Sequence, residues 1–224
     1  MVDVLKRDRA MKGKFITFEG PEGSGKTTQL LLLAKHLKEN GRPVVATREP
    51  GGTEISEKVR NILLDASNLN LSNRTELLLM VASRAQNTAE VIVPALKEGK
   101  IVLCDRYSDS TLAYQSFGRG FDLEATRQMC LFATDGLQPD MTLLIDIDPE
   151  LGLERAKHTG KAATPAKKHD RMESQGLEFH RRVREGFLKL AEAEPDRFRV
   201  LDGKGTIEEI HSQVLKHMKE ITGA

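Results

Sequence analysis

Apolar positions along this chain follow two alternating rhythms. Five short runs set β-forming residues in alternating or continuous apolar order, at 14–19 (KFITFE), 43–47 (PVVAT), 100–104 (KIVLC), 142–147 (TLLIDI) and 197–201 (RFRVL). Each has the length of a strand. Between and after them apolar residues recur with a helical period, at roughly 26–39, 55–65, 73–98, 122–134, 149–158, 173–193 and 206–221. Strands separated by helices imply parallel pairing through right-handed crossovers. The expected fold class is therefore α/β, a five-stranded parallel sheet flanked by helices in three layers. Several helices carry start signals. Asn73 with Glu76 and Thr206 with Glu209 have capping-box spacing, and Asp148 before Pro149 reads as a cap ahead of a first-turn proline.

One segment departs from this rhythm. Residues 157–171 (KHTGKAATPAKKHDR) are basic, poor in large apolar side chains and interrupted by Gly160 and Pro165. Such a stretch cannot bury much, and its place between two helices predicts a mobile lid whose cations close over phosphates. A solvated basic loop without function is the competing reading. Residues 1–12, with Lys6, Arg7, Arg9 and Lys12, are expected to form a flexible N-terminal extension, leaving 13–224 as a single domain.

Composition adds mostly exclusions. Charged residues make up 30% of 224, yet the net charge is only +1, so no footprint for nucleic acid or an anionic membrane is visible. No apolar run approaches the roughly 18 residues of a membrane span. Cys104 and Cys130 lack metal-ligand spacing and read as buried thiols in a reducing, cytoplasmic setting.

The chemistry begins after the first strand. Gly20-Pro21-Glu22-Gly23-Ser24-Gly25-Lys26-Thr27 matches the phosphate-cradling pattern G-x-x-x-x-G-K-[ST], with the required strand before it and helix after it. Gly20, Gly23 and Gly25 permit the tight turn and close backbone approach, while Ser24, Thr27 and Thr28 add donors at the helix start. Lys26 reaches terminal phosphates and the Thr27 hydroxyl suits Mg²⁺. A glycine-rich turn capping an ordinary βα unit is the bland alternative. Arg48 then ends the second strand, and Asp105 with Arg106 follows the third. In an open parallel sheet these ends face the ligand crevice. Two guanidinium forks there suit a second, acceptor phosphate, and Asp105 suits the organisation of Mg²⁺. Met80, Arg84 and Asn87 share a helical face that could line a base pocket, although a buried Arg84 could equally be a structural ion-pair member. Ser110, Thr111, Tyr114 and Gln115 offer hydroxyls and an amide for a base or sugar edge, or form a capped loop.

Taken together these blocks resemble the thymidylate kinase family, P-loop enzymes that phosphorylate dTMP with ATP. The landmarks are the phosphate loop with Glu22, 47–53 (TREPGGT), 76–86 (ELLLMVASRAQ), Asp105-Arg106-Tyr107, 110–115 (STLAYQ), Gly118-Arg119-Gly120, and Asp170-Arg171 before Glu173. The resemblance spans about residues 14–215. It implies that Arg48 and Arg106 hold the dTMP phosphate, Arg84 hydrogen-bonds the thymine and Thr111 lies near the base. It also implies that Glu22 meets the 3′-hydroxyl and that Tyr114 fills the space of a ribose 2′-hydroxyl. Gly23 stands where one branch of the family has arginine, which points to a catalytic cation from the lid. Arg155, Lys157, Lys161, Lys167, Lys168 and Arg171 are the candidates, of which Arg155 and Lys157 are the first choices. Met80 replaces the usual phenylalanine under thymine, and Asn87 a common histidine.

The implied activity is in-line transfer of the γ-phosphoryl of ATP·Mg²⁺ to dTMP, giving dTDP, by a cytoplasmic enzyme that is a homodimer. Acceptors such as dUMP, dCMP or UMP are the alternative within kinases. A nucleotide-gated switch is the alternative outside them, but it would carry an N-K-x-D motif that this chain lacks.

Overall fold

The computed structural model describes residues 11–160 and 175–222. The early elements are β1 (Lys14–Glu19), α1 (Lys26–Glu39), β2 (Val44–Arg48), α2 (Glu54–Leu64), α3 (Asn73–Asn87) and α4 (Val93–Lys97). They are followed by β3 (Ile101–Asp105), α5 (Ser108–Thr111), α6 (Leu123–Ala133), β4 (Met141–Asp146), α7 (Pro149–Gly160), α8 (Leu177–Ala193), β5 (Phe198–Asp202) and α9 (Ile207–Thr222). All the strands are parallel, in the order β2-β3-β1-β4-β5. The expected α/β sheet is therefore present, with strand bounds displaced by one residue from the sequence reading at β2 to β5.

Alternation along the central strand sorts the side chains between two faces. Ile16 and Phe18 face α1 and α9, where Leu33, Leu103, Leu143, Ile145 and Val214 are fully buried. Phe15 faces the other way, onto Ile92, Leu96, Val102 and Tyr107. Leu144, from β4, packs on Val183 and Phe187 of α8. Each such side chain removed from water contributes about 1.5–3 kcal/mol, so the two faces hold the three layers together.

Register sets what meets at the functional edge. Phe18 and Arg48 both pair with Asp105, so the residues after β1, β2 and β3 emerge side by side. Because β1 lies between β3 and β4, the connections after β1 diverge here, at the crevice where open α/β sheets bind ligands.

Two sequence expectations need correction. The helix read at 73–98 is three pieces, α3, a π-helical turn at Thr88–Ile92, and α4. Pro94 lacks an N–H and its ring crowds the carbonyl four residues back, so the regular ladder cannot run through it. The cap of α3 is Ser72, whose hydroxyl accepts from the Thr75 amide at 3.1 Å, rather than Asn73. Glu76, the supposed capping partner, is fully buried and serves Gln115 and Arg119 instead. By contrast Thr206 and Glu209 exchange both capping-box bonds, at 2.7 and 3.2 Å, and Asp148 accepts from the Glu150 amide at 2.9 Å.

Candidate active site

The phosphate loop is built on backbone that side chains would spoil. Gly20, Gly23 and Gly25 have φ of +141°, +69° and +91°. A Cβ on Gly20 would lie 2.3 Å from the Ile145 carbonyl oxygen. Gly23 backs onto Gly152 of α7 so closely that a Cβ there would lie 1.9 Å from the Gly152 carbonyl oxygen. Helix α1 starts without a side-chain cap and without an acid in its first turn, so its first amides are available to an anion. Thr27 and Thr28 are exposed in that turn, and Ser24 is buried beneath it. Lys26 donates to the Gly20 and Pro21 carbonyls at 3.0 and 2.7 Å and to Ser24 Oγ at 3.2 Å. Burial, reinforced by the Arg106 charge, lowers its ammonium to about 8. Thr27 Oγ1 donates to Asp105 Oδ2 across β1 and β3, so two hard oxygen ligands of the kind Mg²⁺ takes stand together at the mouth of the loop.

Arg106 joins this loop to Glu22, Ser110 and Tyr114. Its backbone has φ of +69°, rare for a residue with a Cβ, and its amide donates to the Phe18 carbonyl at 3.0 Å. One guanidinium nitrogen donates to Gly20 O at 3.2 Å and Ser110 Oγ at 3.0 Å. The other donates to Glu22 Oε1 at 2.9 Å and to the Tyr114 hydroxyl at 3.1 Å. Tyr114 in turn donates to Glu22 at 2.9 Å, and burial keeps its hydroxyl protonated. Burial alone would raise the Glu22 carboxyl, but Arg106, Lys26 and the Tyr114 bond outweigh it and hold the group at about 2. Glu22 is thus an ionised acceptor between two cations. Arg48 lies beside Asp105 by register, and its side chain, half exposed, forms a two-bond pair with Glu57 of α2 at 3.0 Å each. Glu57 also accepts from the Gly52 amide at 2.9 Å.

Arg84 is the ion-pair member that its apolar surroundings require. At 2% exposure it donates to Glu49 at 2.7 Å, to Thr111 Oγ1 and the Tyr107 carbonyl at 2.9 Å, and to Cys130 Sγ at 3.3 Å. Asn87 closes the arrangement, donating to Glu49 at 3.2 Å and accepting from Thr47 at 2.9 Å. Burial raises the Glu49 carboxyl even with Arg84 beside it. Met80 lies half-buried one turn before Arg84. The Gln115 amide nitrogen donates to Glu76 at 2.9 Å. Of the pair read from sequence as first choices for the lid cation, Arg155 spends its described bonds on Gly203 O at 2.7 Å and Lys204 O at 3.3 Å. These bonds brace the loop after β5. Lys157 is exposed, while Lys161, Lys167, Lys168 and Arg171 lie outside the described residues.

Some parts of the site were not visible in sequence. Glu57, Gly152 and the contacts of Glu49 belong to separate blocks of the chain. Glu19 carried one signal, a carboxylate closing an apolar strand directly before the phosphate loop. It is fully buried and accepts from the Tyr107 amide at 2.6 Å, the Ser110 amide at 3.3 Å and the Ser110 hydroxyl at 2.5 Å.

The chain matches the family model described as thymidylate kinase over residues 18–214. It is 55% identical to the thymidylate kinase of Pelobacter propionicus over 91% of this chain and 92% of that protein. With the thymidylate kinase of Pelotomaculum thermopropionicum the identity is 49% over 96% of each. A crystal structure of thymidylate kinase from Ehrlichia chaffeensis superposes with a TM-score of 0.72 at 38% identity, covering 92% of this chain and 98% of that one. A phosphate loop bonded directly to the arginine that follows β3, in a chain matched over nearly its whole length, leads to one conclusion: this protein belongs to the thymidylate kinase family.

Proposed function

We propose that this chain transfers the γ-phosphoryl of ATP to a phosphate oxygen of dTMP, giving dTDP and ADP. The observation that carries the reading is Arg106, which bonds Gly20 of the phosphate loop and Glu22 at once, an arrangement that supports a role between donor and acceptor phosphates. Such transfer depends on positioning and charge neutralisation rather than on a covalent enzyme intermediate. The acceptor oxygen is already anionic, so no general base is needed. The amides at the start of α1 and Lys26 hold the donor phosphates. Arg106 and Arg48 hold the acceptor phosphate, Arg48 by exchanging Glu57 for it. Glu22 accepts from the sugar hydroxyl, and Tyr114, fixed by Glu22 and Arg106, closes the space beside C2′ against a ribose hydroxyl. Met80, Arg84, Thr111 and Gln115 line the base side. Thr27 and Asp105 are the residues that would hold Mg²⁺, which would supply neutralisation of the phosphate charge there.

Two further expectations accompany this reading. The enzyme acts in the cytoplasm without nucleic-acid or membrane partners, which fits its near-neutral net charge and the lack of any helix, among the described residues, long and apolar enough to cross a membrane. It works as a homodimer, which fits the exposed apolar side chains Leu78 on α3 and Met129 and Phe132 on α6.

A coupled assay for ADP release across dTMP, dUMP, dCMP and UMP tests the activity. dTMP should give the highest kcat/KM, and a preference for UMP or dCMP would overturn the assignment.

A further inference from the structure

Beside Arg106 the molecule buries a carboxyl group that the mechanism above does not use. Glu19 ends β1, directly before the phosphate loop, at 0% exposure. Its Oε1 accepts the Tyr107 and Ser110 amides, and its Oε2 accepts the Ser110 hydroxyl. That hydroxyl, having given its proton to Glu19, presents a lone pair to Arg106 at 3.0 Å. The turn from Arg106 to Ser110 is therefore gripped at both ends by one carboxylate, and Arg106 itself is held at a backbone φ that β-carbon residues rarely adopt.

A bland salt-bridge partner would be satisfied by any arrangement of donors. Burial, with the Asp109 charge beside it, raises the Glu19 carboxyl to about 8, so the direction of its bonds rests on the donors around it. Tyr107 and Ser110 amides can only donate, so Oε1 must accept. If Oε2 accepts the Ser110 proton, the Ser110 oxygen is free to accept from Arg106, and every polar atom in the chain Glu19, Ser110, Arg106 is satisfied. The groups that face Glu19 are Asp109 and Ser110 of α5, Arg106 and Tyr107 of the preceding turn, Cys104 of β3 and Lys26 of α1.

We propose that Glu19 is a positioning residue for the acceptor phosphate: through Ser110 it fixes the angle at which the Arg106 guanidinium meets the monophosphate. The proposal rests on the kinase reading above, since it assumes that Arg106 binds an acceptor phosphate. Glu19 itself touches no substrate.

The replacement Glu19→Gln tests the direction of the bonds. Glutamine can still accept the two amides through its oxygen, but its nitrogen would donate to Ser110 Oγ. Ser110 would then face two donors and its own proton would have no acceptor, so Arg106 would be displaced. The KM for dTMP should rise about tenfold or more while the KM for ATP stays within about twofold. Ser110→Ala should show the same split, and Ser110→Thr, which keeps the hydroxyl, should restore most of the affinity for dTMP. The Glu19→Gln, Ser110→Ala double variant should be no worse than the worse single variant, because both cut one relay. An unchanged KM for dTMP in Ser110→Ala, or equal losses for dTMP and ATP, overturns the proposal. The Ser110 variants keep the test open even if Glu19→Gln fails to fold. Should wild type favour another monophosphate, the same comparison is read with that acceptor, so failure of the substrate assignment and failure of the relay are told apart.

Discussion

Lys26 is the residue at which binding and stability oppose each other. It is 7% exposed, and burial holds its ammonium at about 8, against ~10.4 for a free lysine. Because the folded value lies below the unfolded one, the unfolded chain binds more protons between them, so stability rises with pH through that window. Below pH 8 the charged, buried form is a cost the fold carries, one that the proposed role of Lys26 in phosphate binding accounts for. Lys26→Ala should lack the rise. Melting temperatures of both proteins from about pH 7 to about pH 10 check this: the difference should move in favour of wild type as pH increases, and parallel curves would refute the burial argument. Turnover of Lys26→Ala should fall by orders of magnitude, because no other described side chain bonds both Gly20 O and Pro21 O inside the loop. Near-normal phosphoryl transfer by the variant would remove Lys26 from the mechanism.

At the scale of elements, the phosphate loop and α7 are one unit. Gly152 would place a Cβ 2.3 Å from the Glu22 carbonyl oxygen, and Gly23 meets Gly152 from the other side. Helix propensity and packing make opposite predictions for Gly152→Ala, which lets magnitude decide. An alanine inside a helix gains roughly 0.5–1 kcal/mol over glycine. Forcing a methyl into a backbone contact costs typically 1–3 kcal/mol. The variant should therefore lose stability, and because the displaced backbone belongs to the loop, its KM for ATP should rise. Thermal unfolding with an ATP titration checks both, and a stabilised variant with unchanged ATP affinity would show that the two elements move independently. A related constraint shapes the segment after β3, where α5 runs into a π-helical segment, Leu112–Gly118. The wider winding there turns Tyr114 toward Glu22 and Gln115 toward Glu76 within two consecutive positions.

For the whole molecule, legibility followed the distance between interacting residues. Helix α1 is bounded as its pattern implies, because the glycines before it and its leucine stripe are local signals. The phosphate loop, Asp105 and Arg106 were readable for the same reason, each lying at the end of an apolar strand whose parallel neighbours the rhythm already implied. Asn73 misled because capping spacing is shared by residues that tertiary contacts recruit elsewhere, as Glu76 is by Arg119 and Gln115. The Glu19–Ser110 relay spans 91 residues and the Arg84–Glu49 pair 35, and no local pattern encodes either. The same limit applies to the proposed dimer, for which two helices distant in sequence offer exposed apolar side chains. Leu78 on α3 is 53% exposed and Phe132 on α6 is 77% exposed, too apolar a pair of elements to leave facing water without reason. A two-fold interface repeats one patch on both protomers, so a charge placed there opposes its own image and costs the contact twice. Leu78→Glu with Phe132→Glu should therefore convert a dimer of wild type into a monomer by light scattering, with melting still cooperative because both side chains lie outside the core. A wild type that is monomeric at micromolar concentration, or a double variant that stays dimeric, would rule this face out as the interface.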